Sequence, residues 1–176
     1  MNQSGSIAVQ SISAQALGSS VGYTCVDVRW KPRMGLAVDV ATGDRNPLDD
    51  RLDTFNPLFP NAYYLAGYTG FPNLIHIRPT LTVHPTRSTN LTAAVGGQWR
   101  ETTADAVYVF PNFPLAGTAG VPGRYTGTYG ELRGDWTIAP HYVVALDAVH
   151  YAIGSAIRQA GGRDANYVSV QVSYGW

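Results

Sequence analysis

Hydrophobic and polar residues alternate along most of this chain, strictly enough to delimit strands. From 167 to 176, Val168, Val170, Val172, Tyr174 and Trp176 share one face, and Ser169, Gln171 and Ser173 the other. From 74 to 84, Ile75, Ile77, Leu81 and Val83 oppose His76, Arg78, Thr80, Thr82 and His84. Residues 33–45 set Met34, Leu36, Val38 and Val40 against Arg33, Asp39 and Arg45. Residues 90–100 set Leu91, Ala93, Val95 and Trp99 against Asn90, Thr92, Gln98 and Arg100. In 125–138, Leu132, Trp136 and Ile138 oppose Glu131, Arg133 and Asp135; in 142–151, Val144 and Leu146 oppose Asp147. A period of two belongs to a pleated strand whose two faces meet different surroundings. No segment holds a 3.6-residue apolar period over several turns, so helix signals are nearly absent. The first segment, 7–25, changes phase at Ile12, which predicts a bulge or an early break.

The connections between these strands alternate in length. Residues 26–32 form a short connection, 46–73 a long one, 85–89 a short one, 101–124 a long one, 139–141 a very short one and 154–166 a medium one. An up-and-down meander in an outer membrane has this form, with turns on the periplasmic side and longer loops outside. The pattern predicts an all-β, antiparallel transmembrane barrel segment spanning 1–176, with loops 46–73 and 101–124 on the extracellular side. Counting seven strands back from Trp176 puts residue 1 outside, whereas such barrels normally carry both termini in the periplasm. A missing N-terminal portion is therefore expected, with an eighth strand hidden in residues 1–25 as the alternative. The start, MNQSGSIAVQ, has no secretory signal pattern.

Composition narrows the classes further. The 176 residues are 45% hydrophobic and only 14% charged, and 12 basic residues balance 12 acidic ones. That balance carries no electrostatic footprint for nucleic acid. Cys25 has no partner in the chain for a disulfide. No uncharged apolar run approaches the ~18 residues of a membrane helix. In a bilayer, strands survive only in a closed barrel, with apolar residues toward lipid and polar ones toward the lumen. Face parity then assigns Arg33, Asp39, Arg45, Arg78, Arg100, Glu131, Arg133 and Asp147 to the lumen, and no charge to the apolar faces. Trp99, Trp136, Tyr174 and Trp176 fall near strand ends on the lipid side, where aromatic girdles belong. The competing reading is a soluble barrel with the ions in water and the apolar side as core.

Several motifs match a known family. Trp30-Lys31-Pro32-Arg33-Met34-Gly35-Leu36, then Gly43-Asp44-Arg45-Asn46-Pro47, then Asp53-Thr54-Phe55-Asn56-Pro57-Leu58-Phe59-Pro60 follow one another in order. Together with Asn73-Leu74-Ile75, His84-Pro85-Thr86, Trp99-Arg100-Glu101-Thr102 and the run from Arg163 to Val168, they resemble the alginate export family of outer-membrane barrels. The likeness covers residues 17–176. It implies passive export of an anionic polysaccharide such as alginate through an arginine-rich lumen, in a barrel of about 18 strands of which this chain resembles the C-terminal portion. The final aromatic, Trp176, resembles the signal read by the barrel-assembly machinery. A barrel of about eight strands is filled by its own side chains, so export would need further strands or several copies.

Candidate chemistry is electrostatic rather than catalytic. Arginines pair carboxylates in a bidentate manner, and a lumen lined with them selects anions without holding them. The bland alternative for each is a wall residue paired with an acid such as Asp39, Glu131 or Asp147. The apolar stretch Thr54, Phe55, Asn56, Pro57, Leu58, Phe59 and Pro60 is expected to fold over the pore mouth. Asp44, Asn46, Asp49, Asp50 and Asp53 superficially resemble a calcium loop, but Asp49 and Phe55 stand where an EF-hand needs Gly and Glu. His76 and His84 lie about 26 Å apart along a strand, too far to share a metal. No hydrolase, zinc-protease or phosphate-loop motif occurs. The expectation is therefore a channel with no catalysis and no cofactor, with membrane lipid and an anionic polysaccharide as its partners. A small closed structural or adhesive barrel is the runner-up, and a barrel lipase or protease, lacking a nucleophile, comes third.

Overall fold

The computed structural model describes residues 1–58 and 69–176. Its eight long strands are β1 (Asn2–Ile7), β2 (Gln10–Thr24), β3 (Arg33–Ala41), β5 (Leu74–Thr86), β6 (Thr89–Trp99), β9 (Tyr125–Ala139), β10 (Tyr142–Ile153) and β11 (Ala165–Tyr174). They lie side by side in chain order, each antiparallel to the next. Short β4 (Arg51–Leu52) pairs with the start of β2, β7 (Tyr108–Val109) pairs with β8 (Phe113–Pro114), and α1 (Ser155–Gln159) sits between β10 and β11. The sheet does not close: among the described residues β11 pairs only with β10 and β1 only with β2.

The expected up-and-down meander is present, with three differences in detail. Residues 1–25 hold two strands, β1 and β2, turning at Ala8 and Val9, where Ala8 takes a left-handed backbone (φ 52°); the eighth strand given as the alternative to a count of seven is present. Strand β2 runs through Ile12 without a bulge, because its first half pairs with β1 and its second half with β3 in unbroken registers. Ile12 points to the inner side in that first half, where loop-side residues half-cover it. Strand β3 ends at Ala41, so Gly43, Asp44 and Arg45 belong to the loop that follows.

Register decides which residues share a face, because directly paired residues point the same way. Thr82, Thr92, Arg133, Asp147 and Ser169 form one row across five strands. Thr80, Ala94, Glu131, Val149 and Tyr167 form the next. The carboxylates of these rows are covered, Glu131 and Asp147 each 6% exposed, and His76, on the same face nearer the loops, is fully buried. The opposite face is bare. Leu17, Leu132, Val168 and Val170 are 66–70% exposed, and among the described residues no second layer lies over them. A soluble barrel with an apolar core would show the reverse arrangement.

Glycines make the inner face dense. A Cβ on Gly96 would lie 2.1 Å from the ring of Tyr129, its neighbour across the β6–β9 pairing. Tyr129 lies flat over that backbone and stacks on His76 at 5.8 Å and Tyr151 at 6.3 Å between centroids. Replacing Gly96 with Val should displace Tyr129 and cost about 1–3 kcal/mol by overpacking. Gly130→Val, on the open outward face where a Cβ meets nothing within 4 Å, should cost nothing measurable. Denaturant unfolding of the two variants checks the contrast.

Candidate functional site

The inner wall is a set of short ionic and hydrogen-bonded links spaced along the strands. Arg78 on β5 donates from Nη2 to Glu131 Oε2 on β9 at 2.7 Å. Arg133 on β9 binds Asp135 at 2.7 Å and lies 3.9 Å from Asp147 on β10. Deeper toward the loops, His76 Nδ1 is 3.2 Å from Asp39 Oδ2, and its Nε2 is 2.9 Å from the Tyr129 hydroxyl. The Tyr151 hydroxyl donates to Gln98 Oε1 at 2.8 Å, and Gln98 Nε2 donates to Thr69 Oγ1 at 2.9 Å. Among the described residues this face carries Arg33, Arg78 and Arg133 against Asp39, Glu131, Asp135 and Asp147. The wall is therefore charged but nearly self-neutralised.

A second assembly lies where the long loops leave the sheet. The Asp105 carboxylate accepts four hydrogen bonds, from the Asp44 N–H at 2.9 Å, Thr54 Oγ1 at 2.6 Å, the Tyr108 hydroxyl at 2.9 Å and the Ala106 N–H at 2.7 Å. One carboxylate thus ties three separate stretches of loop together. Asn73 does similar work: its amide donates to the Thr102 and Ala106 carbonyls and accepts from the Thr102 N–H. Gly43 lies against that amide, with a Cβ position 2.4 Å from Asn73 Cγ, so no larger residue fits. Burial raises the Tyr108 hydroxyl above its ordinary pKa, and Asp105 adds to the effect. Burial also raises the Asp44 carboxyl, with the Asn46 N–H opposing and Asp105, Asp49 and Asp53 reinforcing.

The sequence-predicted residues separate into these two assemblies. Asp39, Arg78, Glu131, Arg133 and Asp147 stand on the wall, each within reach of an opposite partner. Arg33 also stands there, near the turn side, exposed and donating to Thr24 Oγ1 at 3.1 Å; it makes no ion pair among the described residues. Arg45 lies off the strand, paired with Glu101 at the loop rim.

Arg100 differs most from its expected place. It lies just beyond the end of β6 and is fully buried. It donates to the carbonyls of Thr118, Val121 and Gly123. Its guanidinium holds loop 101–124 and faces no open path.

In the mouth stretch, Thr54 binds Asp105, and Phe55 is buried against Ala14 and Ala41 on the inner face. The Asn56 N–H donates to Gln3 Oε1 at 3.0 Å. Pro57 is half-covered and Leu58 exposed, while Phe59 and Pro60 lie outside the described residues.

Sequence reasoning overlooked Tyr129, Tyr151, Gln98, Asp105 and Asn73 as organising residues. The wall tyrosines had one usable signal, glycines flanking Tyr129 and a Gly-Gly pair at 96–97 on the strand before it. The loop residues had none beyond their presence in motifs. The acidic stretch 44–53 forms internal turns: Asp44 Oδ1 accepts from the Asn46 N–H and Asp49 Oδ1 from the Arg51 N–H. No group of three or more His, Cys, Asp or Glu side chains could hold a metal among the described residues.

A single antiparallel sheet with a bare apolar face, an ionic inner face and a loop cap at one end is β-barrel-type wall. The chain matches the model of the alginate export family over residues 1–171, and it belongs to that family. No curated protein matches it.

The cap gives a direct prediction. Arg100→Met leaves the Thr118, Val121 and Gly123 carbonyls without their donor in a buried site. It should destabilise loop 101–124 by about 3–5 kcal/mol. Hydrogen exchange should rise across that loop while the strands keep their protection.

Proposed function

We propose that this chain forms part of the wall of an outer-membrane channel that passes an anionic polysaccharide, such as alginate, by facilitated diffusion. The observation that carries the reading is the inside-out distribution of the sheet, with its leucines and valines bare and its carboxylates and arginines covered. A contiguous apolar face of this extent is foreign to a soluble monomer, and it suits acyl chains. Aromatic rings mark two levels on that face. Tyr142, Tyr174 and Trp176 cluster at the turn side, with centroids 4.9 and 6.3 Å apart. Trp99 and Tyr125 meet at the loop side, 6.0 Å apart. From Tyr125 to Trp136 along β9 is about 36 Å at ~3.3 Å per residue, or about 26 Å of height at a tilt near 45°. Such barrels present an apolar band of about 25 Å.

In this reading residues 1–176 are one barrel segment, and loops 46–73 and 101–124 are extracellular. Membrane lipid is the partner of the outward face, and Trp176, which is 99% exposed, is offered to the barrel-assembly machinery. A polyuronate moving along the inner wall meets guanidiniums already paired with carboxylates. Each sugar carboxylate can exchange with an acid partner and leave again, which gives many weak contacts rather than one tight site. Arg33, with no carboxylate of its own, is the group best placed to attract the polymer at the turn side. Thr54 to Leu58, packed against the inner face and the loop cap, would narrow the mouth. No group in the wall is assigned a catalytic role. The family supports export in general; alginate itself and the lumen residues are our assignment.

Two measurements test this. Leu132→Lys, near the middle of the apolar band, should cost about 2–4 kcal/mol in bilayers; a cost within experimental error would place that face away from lipid. In reconstituted membranes, Arg33→Ala should shift the reversal potential toward cations and weaken block by added polyuronate. An unchanged potential and unchanged block would remove Arg33 from the path. Arg78→Ala is the poorer probe, since it strands Glu131 in a covered site.

A further inference from the structure

The outward face is not smooth. A groove of about 760 Å³ crosses it from β5 to β11. Its floor is made by Ala93, Gly130 and Ala148, and its sides by larger residues such as Leu132 and Val168. Gly130 is the informative residue. Inward glycines of the same sheet are small because something occupies the space a side chain would take: Thr80 at Gly35, Tyr129 at Gly96, Tyr151 at Gly127. At Gly130 a Cβ would meet nothing within 4 Å, and its backbone is not left-handed. Glycine weakens a strand, and where the fold does not require it, it often marks close approach of another molecule. Among the described residues, no side chain occupies the space beside Gly130.

One end of the groove is polar. His150 and Asn166 are directly paired on β10 and β11 in the same row as Gly130, with His150 Nδ1 2.8 Å from Asn166 Oδ1. Both are exposed, beside the apolar residues Leu132, Ala148 and Val168 that line the rest of the groove. They lie near the loop-side ends of their strands, and Arg163 is exposed just before β11 begins. The nearby acid, Asp164, is already bound by Arg158 and by the Ile153 N–H. This end therefore offers donors and positive charge without a free carboxylate to oppose an anion.

We propose that the groove is a lipid site. One acyl chain of a phosphate-bearing membrane lipid lies over Gly130, and the head group is held by His150, Asn166 and Arg163. The proposal rests on the reading that this face meets the bilayer. Four strand spacings give the groove a length of about 19 Å, against about 15 Å of hydrocarbon in one leaflet. Because barrel strands tilt, a row perpendicular to them climbs obliquely through the leaflet. The groove thus rises from mid-band at β5 to the loop-side interface at β11, which brings the polar end to head-group level.

Native mass spectrometry of the chain in nanodiscs of phosphatidylglycerol and phosphatidylcholine tests the site. Gly130→Leu should reduce retained phosphatidylglycerol about tenfold, the equivalent of losing roughly two buried methylenes. Ala93→Leu should act in the same direction, and Val170→Leu, on the same face outside the groove, should have no effect. With diacylglycerol added to the same nanodiscs, His150→Ala combined with Arg163→Ala should remove the preference for phosphatidylglycerol over diacylglycerol, and inorganic phosphate should not compete. Equal retention in Gly130→Leu, Ala93→Leu and the unaltered chain overturns the proposal, as does a dimer seated on this face in place of lipid. Failure to enter bilayers at all would instead overturn the membrane reading on which the site depends.

Discussion

The covered charge on the inner face of this sheet depends on partners, and the links from Arg78 to Glu131 and from Arg133 to Asp147 run between strands. Glu131 and Asp147 are 6% exposed and stand on adjacent strands, and covered carboxylates without a partner would be costly. Arg78 reaches Glu131 from β5, and Arg133 sits between Asp135 and Asp147. These links cross the strand pairings that hold β5, β6, β9 and β10 in register. A one-residue slip would turn every guanidinium outward and every valine inward. The ionic network and the register are thus mutually dependent, and the bare apolar face is their geometric consequence.

The loop cap follows the same logic by other means. Where the strands end, backbone carbonyls and N–H groups lose their ladder partners and need others. Arg100 collects three carbonyls, Asn73 two carbonyls and an N–H, and Asp105 two N–H groups and two hydroxyls. Each is a side chain with several donor or acceptor positions in fixed geometry, which a Ser or Lys could not replace. The family motifs around Gly43, Thr54, Asn73 and Arg100 are therefore explained first by loop architecture. They hold the loops in one shape over the end of the sheet.

The two faces do different kinds of work. The inner face has traded side-chain volume between neighbours, glycine on one strand for tyrosine on the next, and is dense as a result. The outer face has kept small residues where nothing of its own fills the space. An arginine-rich lumen is only partly what the wall presents. With carboxylates beside its arginines, it fits the proposed transfer of an anionic chain from contact to contact better than a tight binding site.

The sequence alone determined the architecture. Alternation of period two, loop lengths that are long and short by turns, and aromatics at strand ends needed no tertiary information, because two unlike surroundings on the two faces of a sheet impose their chemistry residue by residue. The division between Leu132 and Glu131, or between Val168 and Ser169, was legible for that reason. Only the tertiary structure decided the partners. Parity places Arg78, Arg100 and Arg133 on one face, but it is register that brings Arg78 to Glu131. The end of β6 is what puts Arg100 under a loop instead of in a channel. Asp105 and Asn73 were illegible because their partners lie 29 to 61 residues away in the chain, and loops carry no period from which such contacts can be read. A face is a local property of the chain, whereas a contact between two loops exists only once the strands beneath them have paired.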